Sequence, residues 1–394
     1  MKKQLLPGLA ALACVCLAAL PAQADVVTDW NIQAGNVLFE AKAGTPPANR
    51  VMAIVQTAVY EVVRDAGKEA SLDAAVATAN CRSLLALVPS QKEAIDRAYH
   101  AAMSLIPDGP AKDSGVAAGE KAAADVLARR AEDGASASEV YRPHTTPGAY
   151  VPTTIPVLSQ WSQRKTWLLT SASQLRPGPP PALDSPAWAR DYNEVKTLGA
   201  KNGSTRTQEQ TDIARFWEAT MPVIYYGVVR SVANQYGRSP LQNARLFAAV
   251  TQAMDDALVA VFDAKYHYGF WRPITAIRNG DTDGNDATAR DATWMPFIDT
   301  PMHPEYPCAH CIIAASVGAV IKAEVGDGPM PTLSTTSYTA NGATRSWPTV
   351  EAFVDEVSFA RILDGVHYRS STEVGAAMGR EIGALAAKKH FGAP

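Results

Sequence analysis

Apolar residues return at helical spacing over nearly the whole chain, while strand-like alternation is scarce. Val51, Ile54, Val55, Ala58, Val59 and Val62 mark one amphipathic face. Leu84, Leu85, Leu87 and Val88, followed by Ala94 and Ala98, mark another. The alanine-rich stretch 116–131 reads as a further helix, with Ser114 as its N-cap. Proline, glycine and small polar residues then punctuate the chain at about 143–157, 176–186 and 201–207.

Beyond that point the helical pattern resumes. Thr207 to Trp217 begins with Gln210 three residues after its cap, the spacing at which cap and third residue satisfy each other's free amides. Pro240 to about Ala264 predicts a long helix with Leu241, Leu246, Val250, Met254, Leu258 and Val261 along one side. Two adjacent acids, Asp255 and Asp256, interrupt its middle. Cys308 to about Val325 and Val350 to His390 complete the helical set. The expectation is an all-α protein, two packed four-helix-type bundles forming one domain over 25–394.

Residues 1–24 fall outside this pattern. Lys2 and Lys3 precede an apolar run from Leu5 to Leu20, and Ala22-Gln23-Ala24 offers a small-residue cleavage site. They read as a signal peptide, which predicts a periplasmic or secreted product. No later stretch reaches membrane-spanning length. Charged residues are 19% of the chain and net charge is −3, so the basic stripe that a nucleic-acid partner needs is missing. A homo-oligomer is compatible with this composition.

Of five cysteines, Cys81, Cys308 and Cys311 lie beyond the leader, too few for a disulfide framework. Cys308-Ala-His-Cys311 has thioredoxin-like spacing without the surrounding strand–helix–strand pattern, and a local disulfide there stays open. The 280–286 segment resembles a calcium loop but lacks the closing glutamate, and reads as a solvated turn.

Three short segments between 260 and 375 carry chemistry. In the first, Lys265 is followed seven residues later by Arg272, which Pro273 biases toward extended backbone. Lysine supplies a compact charge and arginine a planar fork, both suited to an oxyanion. In the second, Pro307 precedes Cys308, Ala309 and His310, where a helix start offers free amides and a favourable dipole. In the third, Arg361 and His367 are six apart, on different faces of a continuous helix, with Gly365 between them as a break that turns both into one cavity. Imidazole is both a transition-metal ligand and a nucleophile toward phosphorus.

Lys265-x6-Arg272-Pro273, Pro307-Cys308-Ala309-His310 and Ala360-Arg361-x5-His367 resemble the signature shared by vanadium-dependent haloperoxidases and type 2 phosphatidic acid phosphatases. Phe270-Trp271-Arg272-Pro273 resembles the bacterial haloperoxidase-like branch, as do 174–182, 191–195 and 206–210. The resemblance implies a vanadate cofactor, whose place phosphate also fits. His367 would be its metal ligand; Lys265, Arg272, Arg361, the Ala309 amide and position 308 would hold its oxygens. His310 would act as acid–base group, and His303, Trp271 and His267 would line or support the substrate pocket. His303 stands where the family's bromoperoxidases have histidine and its chloroperoxidases phenylalanine, implying bromide or iodide oxidation by hydrogen peroxide.

The alternative the resemblance allows is a periplasmic acid phosphatase acting on phosphomonoesters through a phospho-histidine. A third is an oxyanion binder without catalysis. Three departures bear on the choice. Cys308 and Ala360 stand where the family has serine, and Ser371 where an aspartate follows the histidine. Asp255, Asp256 and Glu305 are then the candidates to orient the histidines.

Overall fold

The computed structural model describes residues 25–152 and 154–392, so the leader expected at 1–24 lies outside the described residues. Among them are thirteen α-helices and a single β-hairpin. The first group comprises α1 (Val26–Glu40), α2 (Thr45–Asp65), α3 (Leu72–Leu87), α4 (Lys92–Ser104) and α5 (Pro110–Arg130). A long irregular stretch leads to α6 (Pro186–Leu198), α7 (Gln208–Trp217) and α8 (Val223–Ala233). Then come α9 (Pro240–Tyr268), α10 (Pro273–Arg278), α11 (Ala309–Val325), α12 (Val350–Leu363) and α13 (Arg369–Phe391). The hairpin pairs β1 (Leu333–Ser337) antiparallel to β2 (Ala343–Trp347) and lies against α8. None of the described helices is long and apolar enough to cross a membrane.

The central element is α9, buried along most of its length, with α2 on one side and α11 and α13 on the other. Two groups of helices thus share one axis, and a continuous apolar cluster runs from Val27 in α1 to Ala386 in α13. Apolar burial of this extent is the dominant favourable term in such a fold. The closest helix pair is α11 with α13. A Cβ at Gly375, Gly379 or Gly383 would meet the carbonyl oxygens of Cys308, Ile312 and Ser316 at 2.6, 2.3 and 2.6 Å. This stripe seats the start of α13 directly on the start of α11.

Several boundaries differ from the sequence expectation. Ser114 is not a cap: α5 starts earlier, at Pro110 after Gly109, because proline tolerates the first helical position and glycine tolerates the φ of 142° before it. The face running from Leu84 to Ala98 belongs to two helices, α3 and α4, parted at Pro89. Both acids in mid-α9 serve the fold. Asp255 pairs with the buried Arg164 at 2.5 Å, and Asp256 accepts the backbone N–H groups of Trp167, Leu168 and Leu169 at 2.8, 2.7 and 2.9 Å. They anchor the irregular 164–169 turn and orient no histidine. The 280–286 turn is not fully solvated either. Asp283 is buried and accepts the Trp188 indole N–H at 2.8 Å and the Thr288 hydroxyl.

Candidate active site

Every charged member of the site comes from a helix end or a turn between helices. Lys265 lies in the last turn of α9, which runs on to a C-cap at Gly269. Its ammonium donates to the carbonyls of Pro304 and Glu305 at 3.0 and 2.7 Å. Arg272 is the extended N-cap of α10. It donates to the carbonyls of His303 and Val366 at 2.9 and 2.8 Å, and its Nη1 stands 3.3 Å from Nε2 of His367. Arg361 ends α12 and donates to the Trp217 carbonyl and, at 2.6 Å, to Asp364.

The helical stretch over 350–390 is two helices, parted at the glycine that the sequence offers as a break. Gly365, with φ of 77°, breaks α12 from α13, and its Cα packs against Gly199, where a Cβ on either would collide at 2.4 Å. That left-handed turn suits glycine alone. It brings Arg361 and His367 to one cavity, which a continuous helix would not do.

His367 is the most constrained member. Its Nδ1 is 2.6 Å from Oε1 of Glu305, which also accepts the Tyr368 N–H at 3.2 Å. Burial pushes the Glu305 carboxyl up to about 7, against the pull of Lys265 and Arg272. Burial, and then the charges of Arg272 and Lys265, hold the His367 imidazole well below its ordinary value. The ring is therefore neutral, with its proton on Nδ1 toward the carboxylate and its Nε2 lone pair toward Arg272. Of the three acids considered from sequence, Glu305 is the one that contacts a histidine.

Lys265, Arg272 and Arg361 are buried together, and among the described residues the buried carboxylates beside them are Glu305 and Asp364. Burial, and the neighbouring positive charge of Arg272, hold Lys265 well below the usual ammonium range. Burial likewise lowers Arg272 to about 10. Among the described residues, the buried Nε of Arg361 has no partner. An excess of buried cation with an unpartnered guanidinium N–H is the electrostatic setting that an anion would stabilise.

His310 opens α11, after a cis peptide bond between Tyr306 and Pro307. Its Nε2 is 3.3 Å from the Ala219 carbonyl, and burial and Arg361 hold it well below the ordinary imidazole value. His303 sets its Nδ1 3.0 Å from Arg272 and its ring against Phe262. His303, Ala309, His310, Arg361 and His367 all line one cavity of about 830 Å³.

Three residues expected at the site lie elsewhere. Cys308 is fully buried, disulfide-bonded to Cys311, and absent from the cavity wall, so its sulfur is no oxyanion donor. His267 is exposed: it sits two residues, about 200° of helical turn, past the inward-facing Lys265. Trp271 alternates with Arg272 on extended backbone, so it faces the other way and stacks on Trp188 at 5.8 Å. Sequence reasoning also missed Tyr225, a cavity-lining residue with nothing in its local pattern to mark it.

A neutral histidine thus stands among buried cations on the wall of one cavity of a helical protein. Residues 245–392 match the family described as the VCPO second helical-bundle domain. Vanadium chloroperoxidase from Curvularia inaequalis is 29% identical across 31% of this chain, a match spanning 24% of that relative's length. A solved structure described as the first bacterial vanadium-dependent iodoperoxidase matches with a TM-score of 0.79 at 21% identity, covering 92% of this chain and 96% of that one. An apo-type bacterial vanadium-dependent chloroperoxidase matches with a TM-score of 0.72 at 17% identity, covering 88% and 95%. The chain therefore shares the fold of these solved structures, and its residues 245–392 are similar to the family's second helical-bundle domain.

Proposed function

We propose that this protein is an exported vanadium-dependent haloperoxidase that oxidises bromide or iodide, in preference to chloride, with hydrogen peroxide. The observation that carries the reading is the Glu305–His367–Arg272 line: a carboxylate fixes one ring nitrogen and leaves the other free beside a guanidinium. Vanadate fits this donor set, because one neutral imidazole nitrogen suits a transition metal and three buried cations suit its oxygens. When bound, vanadate supplies the Lewis acidity that makes peroxide open to attack by halide.

The chain's own residues supply the remainder. Nε2 of His367 is the metal ligand. Lys265, Arg272 and Arg361 hold the oxygens, with the Ala309 amide free at the first position of α11. His310, kept neutral by burial and by Arg361, is ready to accept a proton from peroxide at neutral pH. His303 gives the halide side of the cavity a polarisable, hydrogen-bonding wall in place of a purely apolar one.

Phosphate fits the same cations, so a phosphatase is the second reading. One comparison separates them. The purified protein is assayed with and without orthovanadate for bromination of a phenol dye and for aryl phosphate hydrolysis. Vanadate-dependent bromination is the expected outcome; phosphate hydrolysis that vanadate inhibits would overturn it. His367→Ala should abolish bromination, and survival of that activity would mean the ligand is another residue.

A further inference from the structure

Met295 and Met302 stand seven residues apart in sequence and are exposed to nearly the same degree, 47% and 44%. They differ in one respect: Met302 lines the cavity that holds His310, Arg361 and His367, and Met295 does not. Met52, Met221, Met254 and Met378 are at most 8% exposed, Cys81 is buried, and Cys308 and Cys311 are joined to each other inside the protein. Among the described residues of the lining, Met302 carries the one sulfur. A thioether is polarisable and nucleophilic, and its oxidation to the sulfoxide turns a flexible apolar side chain into a polar one.

The backbone fixes where this thioether stands. The Val157 N–H donates to the Met302 carbonyl at 2.9 Å, and the His303 N–H donates to the Pro301 carbonyl at 2.9 Å. The next residue, His303, gives its carbonyl to Arg272 Nε at 2.9 Å and sets its Nδ1 3.0 Å from Nη2. Met302 is therefore one residue along the chain from a direct contact of the buried cation cluster. The cavity runs from the buried His367 to the exposed Met302 and Ile155, which mark its opening to solvent. A small molecule formed at the buried end shares one space with the Met302 sulfur before it reaches bulk water.

Resting on the haloperoxidase reading above, we propose that Met302 is a self-modification site, oxidised to the sulfoxide by hypohalous acid formed in its own cavity. Peroxide, halide and a proton give hypohalous acid and water; halide loses two electrons as the O–O bond breaks. The sulfur lone pair then attacks the halogen, so a sulfur–halogen bond forms, the halogen–oxygen bond breaks and hydroxide leaves. Water adds to sulfur, and halide departs with the electron pair of the sulfur–halogen bond. Two protons are released, of which one neutralises the hydroxide. Sulfur has lost two electrons, the halide is returned, and one peroxide is consumed for each sulfoxide and water formed. The sulfoxide places a polar oxygen at the opening, one residue from His303, so the entrance changes character with use.

The test compares the two exposed methionines by peptide mass spectrometry. The full chain turns over with vanadate, bromide and peroxide in a large excess of free methionine, which consumes oxidant once it reaches bulk water. Release inside the cavity gives Met302 the higher effective concentration, so it should gain sulfoxide at least about tenfold faster than Met295. Reagent hypobromite, added to the protein without vanadate, should oxidise both at similar rates, since their exposures are alike. Peroxide without bromide should modify neither at a comparable rate. Equal rates at the two sites during turnover would overturn the proposal, and so would Met302 oxidation that needs no bromide. A tenfold preference that persists with reagent hypobromite would mark intrinsic reactivity and overturn it as well. A parallel sample without free methionine follows bromination of a phenol dye. Dye bromination with no preference for Met302 would sink self-modification alone; no bromination and no sulfoxide would sink the haloperoxidase reading along with it.

Discussion

Oε1 of Glu305 and Nδ1 of His367 lie 2.6 Å apart, both residues almost wholly buried. The acid stands between Pro304 and Tyr306, ahead of α11, and the histidine stands ahead of α13, so two helix starts are tied through one hydrogen bond. Because the carboxylate accepts the Nδ1 proton, Nε2 is the nitrogen left with a lone pair. Glu305→Gln keeps the shape but weakens that preference. Vanadate affinity measured by equilibrium dialysis should fall by about ten- to a hundredfold, with little change in thermal stability. Unchanged affinity would assign Glu305 a purely structural part.

His310 occupies the cavity wall without touching His367's nitrogens directly, which separates proton transfer from anion binding. His310→Gln should leave vanadate affinity within a few-fold and lower turnover by about 10²- to 10⁴-fold, the usual worth of a general acid–base group. Equal losses in affinity and turnover would make it an anion ligand instead.

Asp256 satisfies three successive amides of the 167–169 turn. Asp256→Ala removes the acceptor of all three, of which the Leu169 amide is buried and the other two partly so. Each buried unsatisfied amide costs about 1–3 kcal/mol, so chemical denaturation should show a loss of about 2–3 kcal/mol. A loss under 1 kcal/mol would mean the turn simply refolds around the change.

His390, near the end of α13, sets Nε2 3.0 Å from Gln252 Oε1. Burial, and then the charges of Lys389 and Arg245, lower it from 6.5 to about 4. A depressed folded value means that the unfolded chain takes up the proton first. The stability this residue contributes is therefore complete above pH 6.5 and is lost as pH falls from there toward 4. Against His390→Gln, the wild type should lose about 3 kcal/mol over that interval, the free-energy equivalent of the shift. Parallel stability curves for the two proteins would refute it.

The helices and the cluster of buried cations and imidazoles were legible because their signals are local. The Thr207–Gln210 capping box forms as its spacing predicts. Lys265, Arg272, Arg361 and the two histidines carry charge or imidazole where the surrounding pattern is apolar, and the glycine break between Arg361 and His367 is visible as a single residue. Side-chain direction was less legible. Lys265 and His267, two apart on α9, face opposite ways, and so do Trp271 and Arg272 on extended backbone. Which of three acids would meet His367 depended on how α11 and α13 dock, a long-range fact carried by three glycines. The apolar part of the cavity wall left no trace, since Pro46, Pro47 and 155–158 are ordinary loop and helix-start residues until the fold sets them around one cavity with Met302.

That wall has a consequence of its own. The groups that grip the anion all lie beyond residue 260, whereas much of what faces an incoming molecule, Gly44 to Pro47 and 155–158, is contributed by the first half of the polypeptide. On the proposed function, reactivity and choice of guest would therefore be inherited from separate stretches of one polypeptide. Exchanging the 150–158 loop should redirect which compounds are modified without disarming the reagent that modifies them.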